Sequence, residues 1–183
     1  MSPRLIGAFY GAMLALGLLI GWLADLPWPW LLSPAPWPLP AQLAAGAAFG
    51  LLIVALSRVL TRRFEWASAL DGAMRELLGR RTAAEVAWMA LMSGVGEEWL
   101  FRGALQPALT GWIGSPWLAC ALIGLAFGAL HIGQPLRTFW PWTVMAVVMG
   151  WCMGALTIWS GSFIPATIAH ITINGLNLRE LTR

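Results

Sequence analysis

Three ionisable side chains stand within six residues in the run Ser93-Gly94-Val95-Gly96-Glu97-Glu98-Trp99-Leu100-Phe101-Arg102, inside an otherwise apolar stretch. The only two histidines of the chain, His131 and His170, also fall in apolar stretches, and Asn174 follows His170 by one helical turn. A charged group in the middle of a lipid-spanning helix costs at least about 2.5–3.5 kcal/mol, so such residues mark function by default. On a helix, residues four apart share a face and adjacent ones diverge by about 100°. Glu98 and Arg102 therefore form an intrahelical pair, acid on the N-terminal side, which is the favourable order. Glu97 points elsewhere without that partner, and in low-dielectric surroundings its carboxylate is a candidate general base. His170 and Asn174 present an imidazole and an amide together, and Phe127 and His131 are paired in the same way, the ring placed to orient or shield the imidazole. Gly94 and Gly96 are expected to loosen or bend the helix ahead of Glu97. Spaced polar residues of these types on three apolar stretches read as a site rather than a chance convergence. The plainer alternative is an ion pair and two histidines that cross-link helices or line a proton path. Two histidines and a glutamate are also a zinc set with an open position, although no HExxH motif is present.

The elements that must position these groups are membrane helices. Of 183 residues, 59% are hydrophobic and 10% charged, with a mean hydropathy of +0.72. Soluble domains average about 45–50% and about 25%, which excludes a cytosolic globular enzyme and a disordered chain. About 20 apolar residues span a bilayer, and six segments qualify: Leu5–Leu23, Ala41–Leu60, Ala84–Leu109, Trp117–Ile132, Thr138–Trp159 and Phe163–Leu178. The breaks carry Pro, Gly and Ser; Pro27 to Pro40 holds six of the twelve prolines. The first span is too long and lacks a convincing cleavage site for a signal peptide, so it is expected to be a retained anchor. All eleven cationic residues are arginines and the net charge is +3. Apart from Arg102 they lie between apolar runs rather than on one face, which argues against nucleic acid. Arg4 precedes the first span, six arginines lie between the second and third, Arg137 lies between the fourth and fifth, and Arg179 and Arg183 follow the sixth. The opposite loops have none, so both termini are expected in the cytoplasm.

Between spans two and three, Phe64, Ala67, Leu70, Met74, Leu77 and Leu78 recur at helical spacing opposite a charged face, predicting an interfacial amphipathic helix over 61–82. Tryptophans near span ends (Trp22, Trp28, Trp37, Trp88, Trp112, Trp117, Trp140, Trp159) fit an interfacial belt. Gly7/Gly11, Gly17/Gly21, Gly46/Gly50, Gly124/Gly128 and Gly150/Gly154 have the spacing of close helix contacts in lipid. Cys120 and Cys152 read as packing residues, not a disulfide. The fold expectation is an all-α polytopic bundle of about six transmembrane helices plus the interfacial helix. It forms a single domain over 1–183, with two N-terminal spans in 5–60 and a four-helix core in 84–178.

Glu97-Glu98-Trp99-Leu100-Phe101-Arg102 resembles the EExxxR motif of the CPBP family, the CAAX prenyl proteases and bacteriocin-processing membrane proteins also called Abi. Phe127-Gly128-Ala129-Leu130-His131 resembles its FxxxH motif, and His170-Ile171-Thr172-Ile173-Asn174 its HxxxN motif. Order and separation match over roughly Ala84 to Leu178. The resemblance implies a glutamate-type intramembrane endopeptidase. By motif position Glu97 would activate water with help from His131, His170 and Asn174 would stabilise the oxyanion, and Glu98 and Arg102 would brace the site. It implies no cofactor, with zinc the alternative. The expected partners are the lipid bilayer and a membrane-tethered protein or peptide substrate, in the cytoplasmic membrane of a prokaryote. A non-proteolytic immunity or binding protein and a proton-coupled transporter are the rival classes. Depth poses a question: Glu97 lies well inside the third span, and His131 near the end of the fourth.

Overall fold

Ser2 accepts a hydrogen bond from the Leu5 amide at 3.3 Å, and Pro3 stands in the first turn, where a missing N–H costs little, so helix α1 runs Pro3–Leu23. The computed structural model describes residues 2–26 and 35–183; Trp28 and Pro27, Pro29 and Pro34 of the expected proline-rich break lie outside the described residues. Helix α2 spans Leu39–Arg63 and ends where Phe64 turns extended. The amphipathic helix α3, Glu65–Leu78, ends at Gly79, whose φ of 62° only glycine adopts without strain. Nothing between residues 60 and 63 breaks a helix, so the second span continues to Arg63 and the interfacial helix is shorter than expected.

Thr82 and Glu85 cap each other reciprocally to start α4, Ala83–Glu98. A π-helical turn, Trp99–Leu105, and α5, Gln106–Ile113, continue it without a break. The third expected span is thus a composite of 31 residues, 83 to 113, rather than one regular helix ending at Leu109. Helix α6, Pro116–Ala129, is capped by Ser115; α7 is Leu136–Ser160 and α8 is Ile164–Leu181. No strand occurs among the described residues. By length and composition α1, α2 and α7 can cross a membrane, while α6 is a shorter apolar helix. The chain is an all-helical membrane protein whose leucines and tryptophans on these helices are largely exposed.

Close contacts fix the relative directions. Gly7 meets Trp88, Gly96 meets Tyr10 and Gly17 meets Trp99, so α1 and α4 run parallel. Gly94 meets Ile171 and Gly175 meets Ala90, making α4 and α8 antiparallel. Gly46 packs on Pro165 and Gly50 on Thr172 and Ala169, so α2 and α8 are parallel. Gly124 and Gly128 face Gly150, Trp151 and Val147 on antiparallel α7. The spaced glycines therefore sit mostly where helices touch, as small residues do in lipid, although Gly11 faces open space. The two cysteines are free. An apolar cluster of Leu100, Phe101, Ile123, Phe127 and Ala146 fills the centre. The bulkiest fully buried side chains among the described residues are nevertheless Arg102 and Glu98.

Candidate active site

A proline inside a helix lacks the donor for the carbonyl four residues back and collides with it. Pro107 would do this to Gly103. The helix answers upstream: Gln106 N–H bonds to Phe101 O, a five-residue step that opens a π turn. This turn begins one residue after Glu98 and contains Arg102. Gly94 and Gly96 do not interrupt α4, which stays α-helical through both. Both glycines instead admit neighbours, since a Cβ at Gly94 would come within 3.0 Å of the Ile171 backbone nitrogen and one at Gly96 within 2.9 Å of the Tyr10 ring.

Glu98 and Arg102 are joined at 3.0 Å with side chains fully withdrawn from solvent. Arg102 also donates to Gly150 O at 3.0 Å and stacks its guanidinium 4.6 Å over the Phe127 ring. One turn on, Gln106 donates to Gly154 O at 3.1 Å, so the π-turn face is bound to α7 at two successive turns. The Glu98 oxygen that meets Arg102 lies 2.7 Å from His170 Nδ1. An ionised carboxylate paired with arginine can only accept, so Nδ1 carries the proton and donates. His170 Nε2 then faces away from Glu98, toward Glu97.

His131 follows the end of α6. Its Nδ1 lies 2.7 Å from Phe127 O and donates to it, while its ring packs on Phe127 at 4.5 Å and on Trp142 at 5.6 Å. Thr143 ties the His131 carbonyl to α7 at 3.0 Å. With Nδ1 occupied, Nε2 points to Glu97. His131 Nε2 and His170 Nε2 are each 3.9 Å from one atom, Glu97 Oε2, which is buried and has no hydrogen-bond partner among the described residues. The other oxygen, Oε1, accepts from Tyr10 at 3.2 Å. The depth question has a geometric answer: α6 has 14 residues, about 21 Å at 1.5 Å each, shorter than a hydrocarbon core of about 30 Å, and its end brings His131 to the level of Glu97.

Five of the six residues singled out by sequence, Glu97, Glu98, Arg102, His131 and His170, thus form one connected group. Asn174 stands beside it, donating to Ser93 at 2.8 Å. Sequence reasoning passed over Tyr10, Ser93 and Gln106. Tyr10 had a readable signal, since it is the only tyrosine, a phenol set within an apolar span. Ligands about 2.0–2.2 Å from a shared zinc lie roughly 3.4 Å apart. The spacings here are wider, and no three His, Cys, Asp or Glu side chains among the described residues gather as a metal set.

A family profile described as type II CAAX prenyl endopeptidase Rce1-like matches residues 79–176. The chain belongs to the Rce1-like family. The match covers just over half the sequence, takes in all six singled-out residues, and points to a peptidase. Among curated proteins the chain is similar to the uncharacterized protein YpbD of Bacillus subtilis (strain 168), 24% identical over 133 residues. That alignment covers 72% of this chain and 64% of the relative, so the chain spans less than two thirds of YpbD's length. No solved structure matches.

Proposed function

We propose that this Rce1-like chain is an intramembrane endopeptidase that hydrolyses a membrane-tethered protein or peptide with Glu97 as the base. The observation that carries the reading is the approach of two imidazole Nε2 atoms to one carboxylate oxygen, each at 3.9 Å. Such atoms are too far apart to bond directly and suitably spaced to share a water oxygen about 2.8 Å from each. Glu97 Oε2 takes one proton as this water attacks the scissile carbonyl, while His131 Nε2 accepts a hydrogen bond from the hydrogen that stays on the attacking oxygen and holds it in line. Negative charge then develops on the carbonyl oxygen. A protonated His170 donates to it through Nε2, with the Glu98 carboxylate 2.7 Å from Nδ1 as counter-charge. Asn174 adds the amide hydrogen not used on Ser93. Glu97 finally returns its proton to the leaving amine. Loss of one oxyanion donor typically lowers the rate about 10²–10³-fold. Glu98 and Arg102 orient His170 without touching substrate, and no cofactor takes part.

The family description makes a peptide ending in a prenylated cysteine and three further residues the first substrate to try; bacteriocin-like precursors and C-terminal sorting anchors are the others. The arginine distribution supports a cytoplasmic-membrane protein with both termini in the cytoplasm. The test is cleavage of such a prenylated, fluorescence-quenched peptide by purified protein in liposomes with a metal chelator present. The expected product is cut directly after the modified cysteine. All three substrate classes left intact, with and without the chelator, would favour a non-proteolytic binding or immunity protein. Activity lost to the chelator and restored by stoichiometric zinc would replace the metal-free scheme.

A further inference from the structure

We infer that Tyr10 is a positioning residue for the Glu97 base, so that α1, outside the segment the family profile matches, completes the active site. The inference rests on the peptidase reading above. A glutamate carboxylate turns freely about its last bond, whose preferences are broad. Which oxygen faces the imidazoles must therefore be set by something that grips the other one. The Tyr10 hydroxyl does so, donating to Glu97 Oε1 at 3.2 Å and leaving Oε2 to His131 and His170. The approach is built into both helices. Gly96 has no side chain where Tyr10 lies, so Tyr10 packs directly against α4 and carries its hydroxyl to the next residue, Glu97. Phe9 holds the ring from its own helix at 5.1 Å, edge to face. Ser93, one turn before Glu97 on α4, accepts from Asn174 at 2.8 Å and ties this face of α4 to α8. Two indoles clamp α1 to the neighbouring helix on either side of Tyr10: Trp88 donates to Pro3 O at 3.1 Å and Trp99 to Leu14 O at 3.0 Å. The clamps hold the helix in place, and the hydroxyl acts on the carboxylate.

The experiment is steady-state cleavage of the prenylated, quenched peptide by full-length protein in liposomes. It compares wild type with Tyr10→Phe, Gly96→Ala, Trp88→Phe and Glu97→Gln, and follows thermal unfolding of each. Tyr10→Phe keeps the ring and removes one hydrogen bond to a charged group, so kcat is expected to fall about 10- to 100-fold. KM should stay within about twofold and the unfolding temperature should not move. Gly96→Ala displaces the same ring from the α4 side and should lower kcat as well. Trp88→Phe breaks one of the two clamps, away from the carboxylate; with the Trp99–Leu14 bond and the Tyr10 hydroxyl intact, kcat and KM should stay within about twofold of wild type. Wild-type kcat in Tyr10→Phe, with Glu97→Gln inactive, overturns the role of Tyr10 and spares the peptidase reading. An equal loss in Trp88→Phe, or a loss confined to KM, shows that helix packing rather than the hydroxyl matters. Absence of cleavage by wild type overturns the underlying reading and this inference with it.

Discussion

Glu97 and Glu98 are adjacent in sequence and opposite in circumstance. Glu98 is enclosed and bonded to Arg102 and His170, whereas Glu97 keeps one buried oxygen without a partner. Helical spacing alone made this division legible, because a 100° step separates neighbours and a four-residue step unites acid and arginine. The rest of the chemistry depends on contacts between residues far apart in the chain. Glu98 is 72 residues from His170 and Tyr10 is 87 from Glu97, separations that no local pattern encodes. Removing one partner of a buried ion pair strands the other, so Arg102→Leu should destabilise the protein by about 3–5 kcal/mol, read as resistance to unfolding in detergent. Adding Glu98→Leu removes the stranded charge and should restore much of that stability. Activity should stay lost in the double variant because His170 Nδ1 no longer has its acceptor. Recovery of activity along with stability would show that the pair does not orient the imidazole.

The elements place these residues through features that apolar periodicity reveals only in part. Long apolar runs announced α1, α2 and α7, and the arginine-studded amphipathic pattern announced α3, but the π turn left no periodic trace. Its cause, Pro107, reads from sequence merely as a helix disturbance, and only three-dimensional packing decides that the helix widens instead of stopping. Gly94 and Gly96 illustrate the same limit: glycine in a helix can signal bending or close approach, and here the neighbours Ile171 and Tyr10 select close approach. Gly94→Val should therefore push α8 off α4 at a cost of roughly 1–3 kcal/mol, separating Asn174 from Ser93 and His170 from Glu98. Cleavage should fall steeply although Gly94 performs no chemistry. Full activity in this variant would mean that the α4–α8 contact can shift without disturbing the site.

At the scale of the molecule, the arginine alternation and the helix directions agree. Helices α1 and α4, expected from sequence in the first and third spans, run parallel, α2 and α8 run parallel, and α4 opposes α8. Arg58 meets Glu180 at 3.3 Å and Arg75 donates to Glu180 O at 2.7 Å, gathering the arginine-bearing ends of α2, α3 and α8 on one side. After Cys120 and Cys152 are replaced by alanine, single cysteines at the exposed Ser2 and Arg183 positions should react with an impermeant thiol reagent from the cytoplasmic side, and one at Ser162 from the opposite side. Labelling of the Ser2 and Arg183 positions from different sides would contradict the topology. The arrangement as a whole brings one carboxylate and two imidazoles together to activate water. Single-turnover cleavage in water labelled with the heavy oxygen isotope, followed by mass spectrometry of product and protein, tests this most directly. The label is expected in the new carboxylate of the product with wild type, and no product with Glu97→Gln. Label found in the Glu97 side chain, or cleavage undiminished in Glu97→Gln, would contradict water activation by this glutamate.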